Sequence, residues 1–185
     1  MDTFAEALAA KVESVCSPDR NITVTLKGGV VTNMDFATGA YSRYSESVLE
    51  EQIISLIKLV IVARNRSRKE AIYEELGHDV SRLDARILSK KEVEFKKRVE
   101  NIEVEAHSRR ISIIAQPLGF WDVQIKPNSL KESTGAGFID EILSVVSEVI
   151  SNMNLTVARE NNTVFGHVSE ITPIHHAYEQ GRRND

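Results

Sequence analysis

The apolar pattern between Ile22 and Ile61 returns in kind 89 positions later, without a gap. Ile22, Val24 and Leu26 fall on Ile111, Ile113 and Ala115, while Val31, Met34 and Phe36 fall on Phe120, Val123 and Ile125. Ile53, Ile54, Ser55, Leu56 and Ile57 then fall on Ile142, Leu143, Ser144, Val145 and Val146, and Val60 and Ile61 on Val149 and Ile150. Ahead of these segments the match is weaker: Phe4, Val12 and Val15 fall on Val93, Asn101 and Val104. One offset holding across segments of different periodicity indicates an internal repeat, which restricts the fold to two copies of one unit.

The unit can be read in order. Phe4, Leu8, Val12 and Val15 recur at helical spacing and predict a helix from Asp2 to Val15, ended by Ser17-Pro18-Asp19 because proline cannot extend the ladder. A short extra strand around Glu13 to Val15, matched at Ile102 to Glu105, is the competing reading of its end. From Ile22 to Phe36 apolar and polar residues alternate around Lys27-Gly28-Gly29, the pattern of two antiparallel strands joined by a tight turn. Ser47 and Glu50 have capping-box spacing and open a helix expected to reach Leu76, with Gly77 as its stop.

Between Ile53 and Ala63 apolar side chains occupy nearly the whole circumference of that helix, which predicts burial on more than one side. A three-stranded sheet covers only one side. The second copy supplies the remaining cover if Ile53, Leu56, Ile57, Val60 and Ile61 pack against Ile142, Val145, Val146, Val149 and Ile150. The expected organisation is a first repeat over 1–78, a partly helical connector over 79–89, a second repeat over 90–160 and a polar tail over 161–185.

Hydrophobic residues make up 42% of the 185 positions, enough for a core without metal or disulfide staples. Cys16 is the only cysteine, so no intramolecular disulfide can form; it is expected to be buried near the end of the first helix. The opening MDTFAEALAA has no signal-peptide pattern, and the apolar run IISLIKLVIVA is interrupted by Lys58 and too short to span a bilayer. The expected location is therefore cytoplasmic, with no membrane partner. A net charge of −4 excludes a general attraction of the whole molecule to polyanions, so any such attraction must be local.

Catalytic and metal signals are missing from the sequence. His78, His107, His167, His175 and His176 form no motif with metal-ligand spacing. Thr134-Gly135-Ala136-Gly137 lacks the lysine and spacing of a phosphate loop and reads as the lead into a helix. No nucleophile is bracketed by a base. The expectation is a protein that is not an enzyme and uses no cofactor and no metal.

Cations cluster instead. Arg64, Arg66, Arg68 and Lys69 lie toward the end of the first long helix; Lys90, Lys91, Lys96, Lys97 and Arg98 crowd the helix that opens the second repeat; Arg109 and Arg110 precede its first strand. Such clusters bind phosphates without regard to base sequence. The plainer alternative is a solvated helix surface balanced by Glu70, Glu74, Glu75, Glu92 and Glu94. Few aromatic residues accompany the cations, so base stacking on a single strand is not indicated, and any nucleic acid bound would be duplex, held through its backbone.

A helix, a short hairpin, a loop and a long apolar helix resemble the YbaB/EbfC family of nucleoid-associated proteins. Ile22, Val24, Leu26, Gly29, Val31, Met34 and Phe36 carry the resemblance, followed by Leu49 to Ile54 and Ala63-Arg64. Ile111, Ile113, Gly119, Val123, Ile125 and Ile139 to Leu143 carry it in the second copy. The resemblance implies an α+β chain of two tandem helix–β-hairpin–long helix units forming an intramolecular pseudo-dimer. It also implies a non-enzymatic, nucleoid-located protein that binds duplex DNA, with a further homodimer open. The first helix, nearly devoid of cations, and Gln116-Pro117-Leu118-Gly119 in the second hairpin depart from the family pattern. A similar sheet and helix occur in YbaB-like accessory proteins of type VII secretion, which implies the alternative of a protein-interaction module that binds no DNA.

Overall fold

Alternation places Ile22, Val24 and Leu26 on one face of a strand, and all three are buried. That strand is the middle of the first of two sheets. The computed structural model describes residues 8–76, 89–117 and 119–166, with the backbone alone for 72–76. Its first sheet has the order β1 (Val12–Cys16), β2 (Ile22–Lys27), β3 (Val30–Phe36), antiparallel throughout. The second has the order β4 (Val104–His107), β5 (Ile111–Ala115), β6 (Trp121–Ile125), also antiparallel. A 3-10 turn at Tyr41–Arg43 precedes α1 (Glu46–Leu76); α2 (Lys90–Glu100) precedes the second sheet and α3 (Gly135–Phe165) follows it. The architecture is mixed α+β.

α1 and α3 have 31 residues each and begin 89 positions apart, so the sequence offset carries one helix onto the other from end to end. In the hairpins the same offset conceals two compensating irregularities. Gly28 and Gly29 alone join β2 to β3, both at positive φ, whereas the second turn closes from Gln116 to Phe120 around one more residue. The first half recovers that residue as a bulge in β3, where Thr25 pairs with Asn33 but Leu26 pairs with Val31. Val31 therefore stands where Trp121 does, opposite Ala115, and the expected match of Val31 with Phe120 is corrected; Phe120 is exposed.

Three further expectations are corrected. The first helix does not reach Val15: only Leu8 to Ala10 are helical among the residues described there, and Val12 already belongs to β1. Edge pairing with β2 overrides the helical spacing. Cys16 is consequently not buried near a helix end but exposed at the end of β1. The Ser47–Glu50 capping box is absent, because α1 begins two residues earlier than that motif places it. The Ser45 carbonyl accepts from Leu49 N at 3.0 Å, and Glu50 is engaged elsewhere. A capping box does occur at α2, where the Ser89 hydroxyl accepts from Glu92 N and the Glu92 carboxylate accepts from Ser89 N.

One apolar cluster runs through both sheets and both long helices. α1 lies against β1 of its own sheet and against β6 of the other, while α3 lies against β4, β5 and β3. Ile53, Leu56, Ile142, Val145 and Val149 are buried in the cluster, and Ile57, Val60, Ile61, Val146 and Ile150 pack against it partly buried. The closest approaches between the halves are helix to sheet rather than helix to helix. Each is marked by a specific contact. Glu50 Oε1 accepts from Ile125 N at 2.6 Å, occupying a donor of β6. Phe138 of α3 meets Tyr41 and Phe36 with tilted rings, their centroids 5.8 and 6.4 Å apart. α1 is thus covered on more than one side, by β1 and by β6, while Leu59 and Val62 of its apolar circumference remain exposed.

Residues 79–88 of the connector expected over 79–89, and the tail beyond Gly166, lie outside the described residues, as do His78, His167, His175 and His176. α3 continues to Phe165, past the expected boundary at 160. No helix among the described residues is long and apolar enough to cross a membrane.

Candidate nucleic-acid interface

The eleven cations singled out in the sequence fall at three places. Arg64, Arg66, Arg68 and Lys69 ride the C-terminal half of α1, beyond its contact with β6. Lys90, Lys91, Lys96, Lys97 and Arg98 belong to α2, which packs along the C-terminal half of α3; Phe95 meets Phe165 edge to face at 5.7 Å. Arg109 and Arg110 occupy the turn between β4 and β5. Arg64 is positioned by the hairpin: Gly29 has no side chain, and the Arg64 stem lies over the turn, 3.2 Å from where a Cβ would stand. Lys27 ends β2 beside the same turn and is exposed, a cation that the sequence pattern did not single out. Its position directly before the glycine pair was the available signal.

Four of the eleven are committed to carboxylates. Arg66 reaches Glu13 at 2.7 Å and Glu70 at 4.0 Å. Arg98 joins Glu94 at 2.9 Å and Glu160 at 3.2 Å, the second tie fastening α2 to α3. Arg109 pairs loosely with Glu132. Arg110 is the most enclosed: its Nη1 lies 2.7 Å from Glu141 Oε2, and its backbone N donates to Glu141 Oε1. The remaining seven, Arg64, Arg68, Lys69, Lys90, Lys91, Lys96 and Lys97, make no ion pair among the described residues.

Two of the carboxylates facing these arginines, Glu13 and Glu141, have lowered pKa values. The Ser67 hydroxyl hydrogen-bonds Glu13 and, with Arg66, lowers the Glu13 pKa against a smaller desolvation cost. Burial pushes Glu141 up, but hydrogen bonds from Ser108 and Arg110 prevail and lower it. Glu13 points inward from the edge strand β1, a placement that discourages pairing with another edge. Arg66 and Arg110 brace a strand and a turn against the long helices, and Arg98 ties two helices together, so these three are correspondingly less available to an external phosphate.

The described surface near α2 includes one broad, open depression, lined by Arg98, Asn101, Ile102, Glu103, Thr156 and Glu160. It holds one committed ion pair and no nucleophile beside a base. No group of three or more His, Cys, Asp or Glu side chains able to hold a metal occurs among the described residues. His107 is exposed at the end of β4.

Comparison with known proteins yields no match to a protein-family model, to a curated protein or to a solved structure.

Proposed function

We propose that the chain is a fused pair of YbaB/EbfC-like units that binds duplex DNA without catalysis, in the nucleoid, through the phosphate backbone. The observation carrying this reading is the set of seven cations on α1 and α2 that make no ion pair among the described residues. Lysine and arginine in such sites neutralise phosphates and release counterions, giving affinity that falls steeply with salt and little sequence preference. With net charge −4, approach is favourable only when these clusters face the duplex.

Gel-shift titration with mixed-sequence duplexes across salt tests the proposal. Retention at low salt is expected. Replacing Lys90, Lys91, Lys96 and Lys97 by glutamate should weaken it by about tenfold or more and flatten the salt dependence by roughly 0.9 for each phosphate no longer neutralised. Absence of any shift at low salt overturns DNA binding.

That outcome would leave the second reading, a protein-interaction module of the type VII accessory kind. Two observations favour it: the acidic net charge, and the engagement of four of the six candidate arginines in internal ion pairs.

A further inference from the structure

α1 carries a solvent face that its own fold does not explain. At 100° per residue, Val48, Gln52, Ser55, Leu59, Val62, Arg66 and Lys69 form one stripe. Val48 is 45% exposed, Leu59 42% and Val62 64%. The equivalent positions of α3 provide an internal control: Gly137, Glu141, Ser144, Glu148, Ser151, Leu155 and Ala158. α3 packs on its sheet with glutamate and serine where α1 has Leu59 and Val62, so the architecture does not call for apolar side chains there. Their exposure on α1 marks an interaction surface.

The charges along the stripe indicate what covers it. Glu51 and Lys69 are eighteen residues apart, five full turns, and so project in the same direction about 27 Å from one another. They bracket Leu59 and Val62 at nearly equal distances, and neither makes an ion pair among the described residues. Lys58 is exposed on the flank of the apolar middle; apart from that cation the face is acidic at one end, apolar in the middle and basic at the other, and so is complementary to itself turned end for end. We propose that this face is an isologous interface on which a second copy of the chain docks, α1 antiparallel to α1. Leu59 and Val62 meet their own copies at the two-fold axis, and each Glu51 faces the partner copy's cation at position 69. α3 cannot form the same pair: it keeps an acid at Asp140 but has Ala158 in place of the cation and Glu148 at the centre. The apolar centre is small, so the dimer is weak and salt-sensitive.

Sedimentation equilibrium of the full chain, from about 1 to 200 µM at low salt, tests this without nucleic acid, so its outcome is independent of the DNA reading. A monomer–dimer equilibrium is expected. Leu59→Glu and Val62→Glu should give monomer throughout, with circular dichroism unchanged because both positions are exposed. Glu51→Lys and Lys69→Glu should each weaken association by about fivefold or more, and the double variant should recover it to within about twofold. A chain that stays monomeric at the highest concentration, a dimer that survives Leu59→Glu, or a double variant that fails to recover overturns the proposal.

Discussion

Asp19 shows how much one side chain can organise here. It sits in the turn between β1 and β2 and accepts from Ser17 Oγ at 2.6 Å, from Asn21 N at 3.1 Å and from the Tyr44 hydroxyl, while its own N donates to Gln52 of α1. Partial burial pushes its pKa up, but these hydrogen bonds outweigh that and hold it at about 2. A carboxylate depressed in the folded state contributes stability above its unfolded pKa, and that contribution is lost as pH falls through the folded value. Asp19→Asn should therefore destabilise the protein at pH 7 by about 1 kcal/mol. The difference from wild type should close between about pH 4 and pH 2, as followed by urea unfolding at a series of pH values. A gap independent of pH would show that the carboxylate charge is not what matters. None of this was visible in the sequence, where Ser17-Pro18-Asp19 reads only as a helix stop: hydrogen bonds to Tyr44 and Gln52 cross 25 and 33 residues. Arg110 teaches the same lesson from the other direction. Counted as a free cation, it is a brace once Glu141 closes on it.

At the scale of elements, the strands and long helices were the most readable parts. Alternation marks one face of β2 and β5, and that face is buried in both. Edges were less readable. β1 has helix-like spacing, and only the presence of β2 alongside makes it a strand. The bulge in β3 and the longer second turn cancel in the numbering, so a gap-free alignment passes over both. The first turn depends on glycine conformation. Gly29 has φ +74°, and a Cβ there would press on the Arg64 stem; Gly39 has φ +68° and nothing within 4 Å. Alanine at either position should cost about 1–2 kcal/mol through the left-handed backbone. Gly29→Ala should cost little more than Gly39→Ala in denaturant unfolding, because the flexible Arg64 side chain can give way. A much larger loss at Gly29 would mean that Arg64 is held rigidly over the turn.

For the whole molecule, the decisive feature is that neither half closes its own core. Glu50 reaches across to β6, Phe138 reaches across to Phe36 and Tyr41, and one cluster includes both sheets. The two halves should therefore unfold together. Trp121, the only tryptophan, is buried in the second sheet, while Ile53 is buried on α1 of the first half. Ile53→Ala should lower stability by about 2–5 kcal/mol. It should also move the Trp121 fluorescence transition in step with the circular dichroism transition. A fluorescence transition left in place would show two independent cores.

The sequence by itself determined the periodicities, the 89-residue offset and the excess of apolar surface on α1, because these depend on residue type along one chain. The tertiary structure decided which cations are held in ion pairs, which strand edge Glu50 covers, and which of α1's apolar residues stay in solvent. These depend on which side chains meet across tens of residues, and pattern along a chain does not carry that distance.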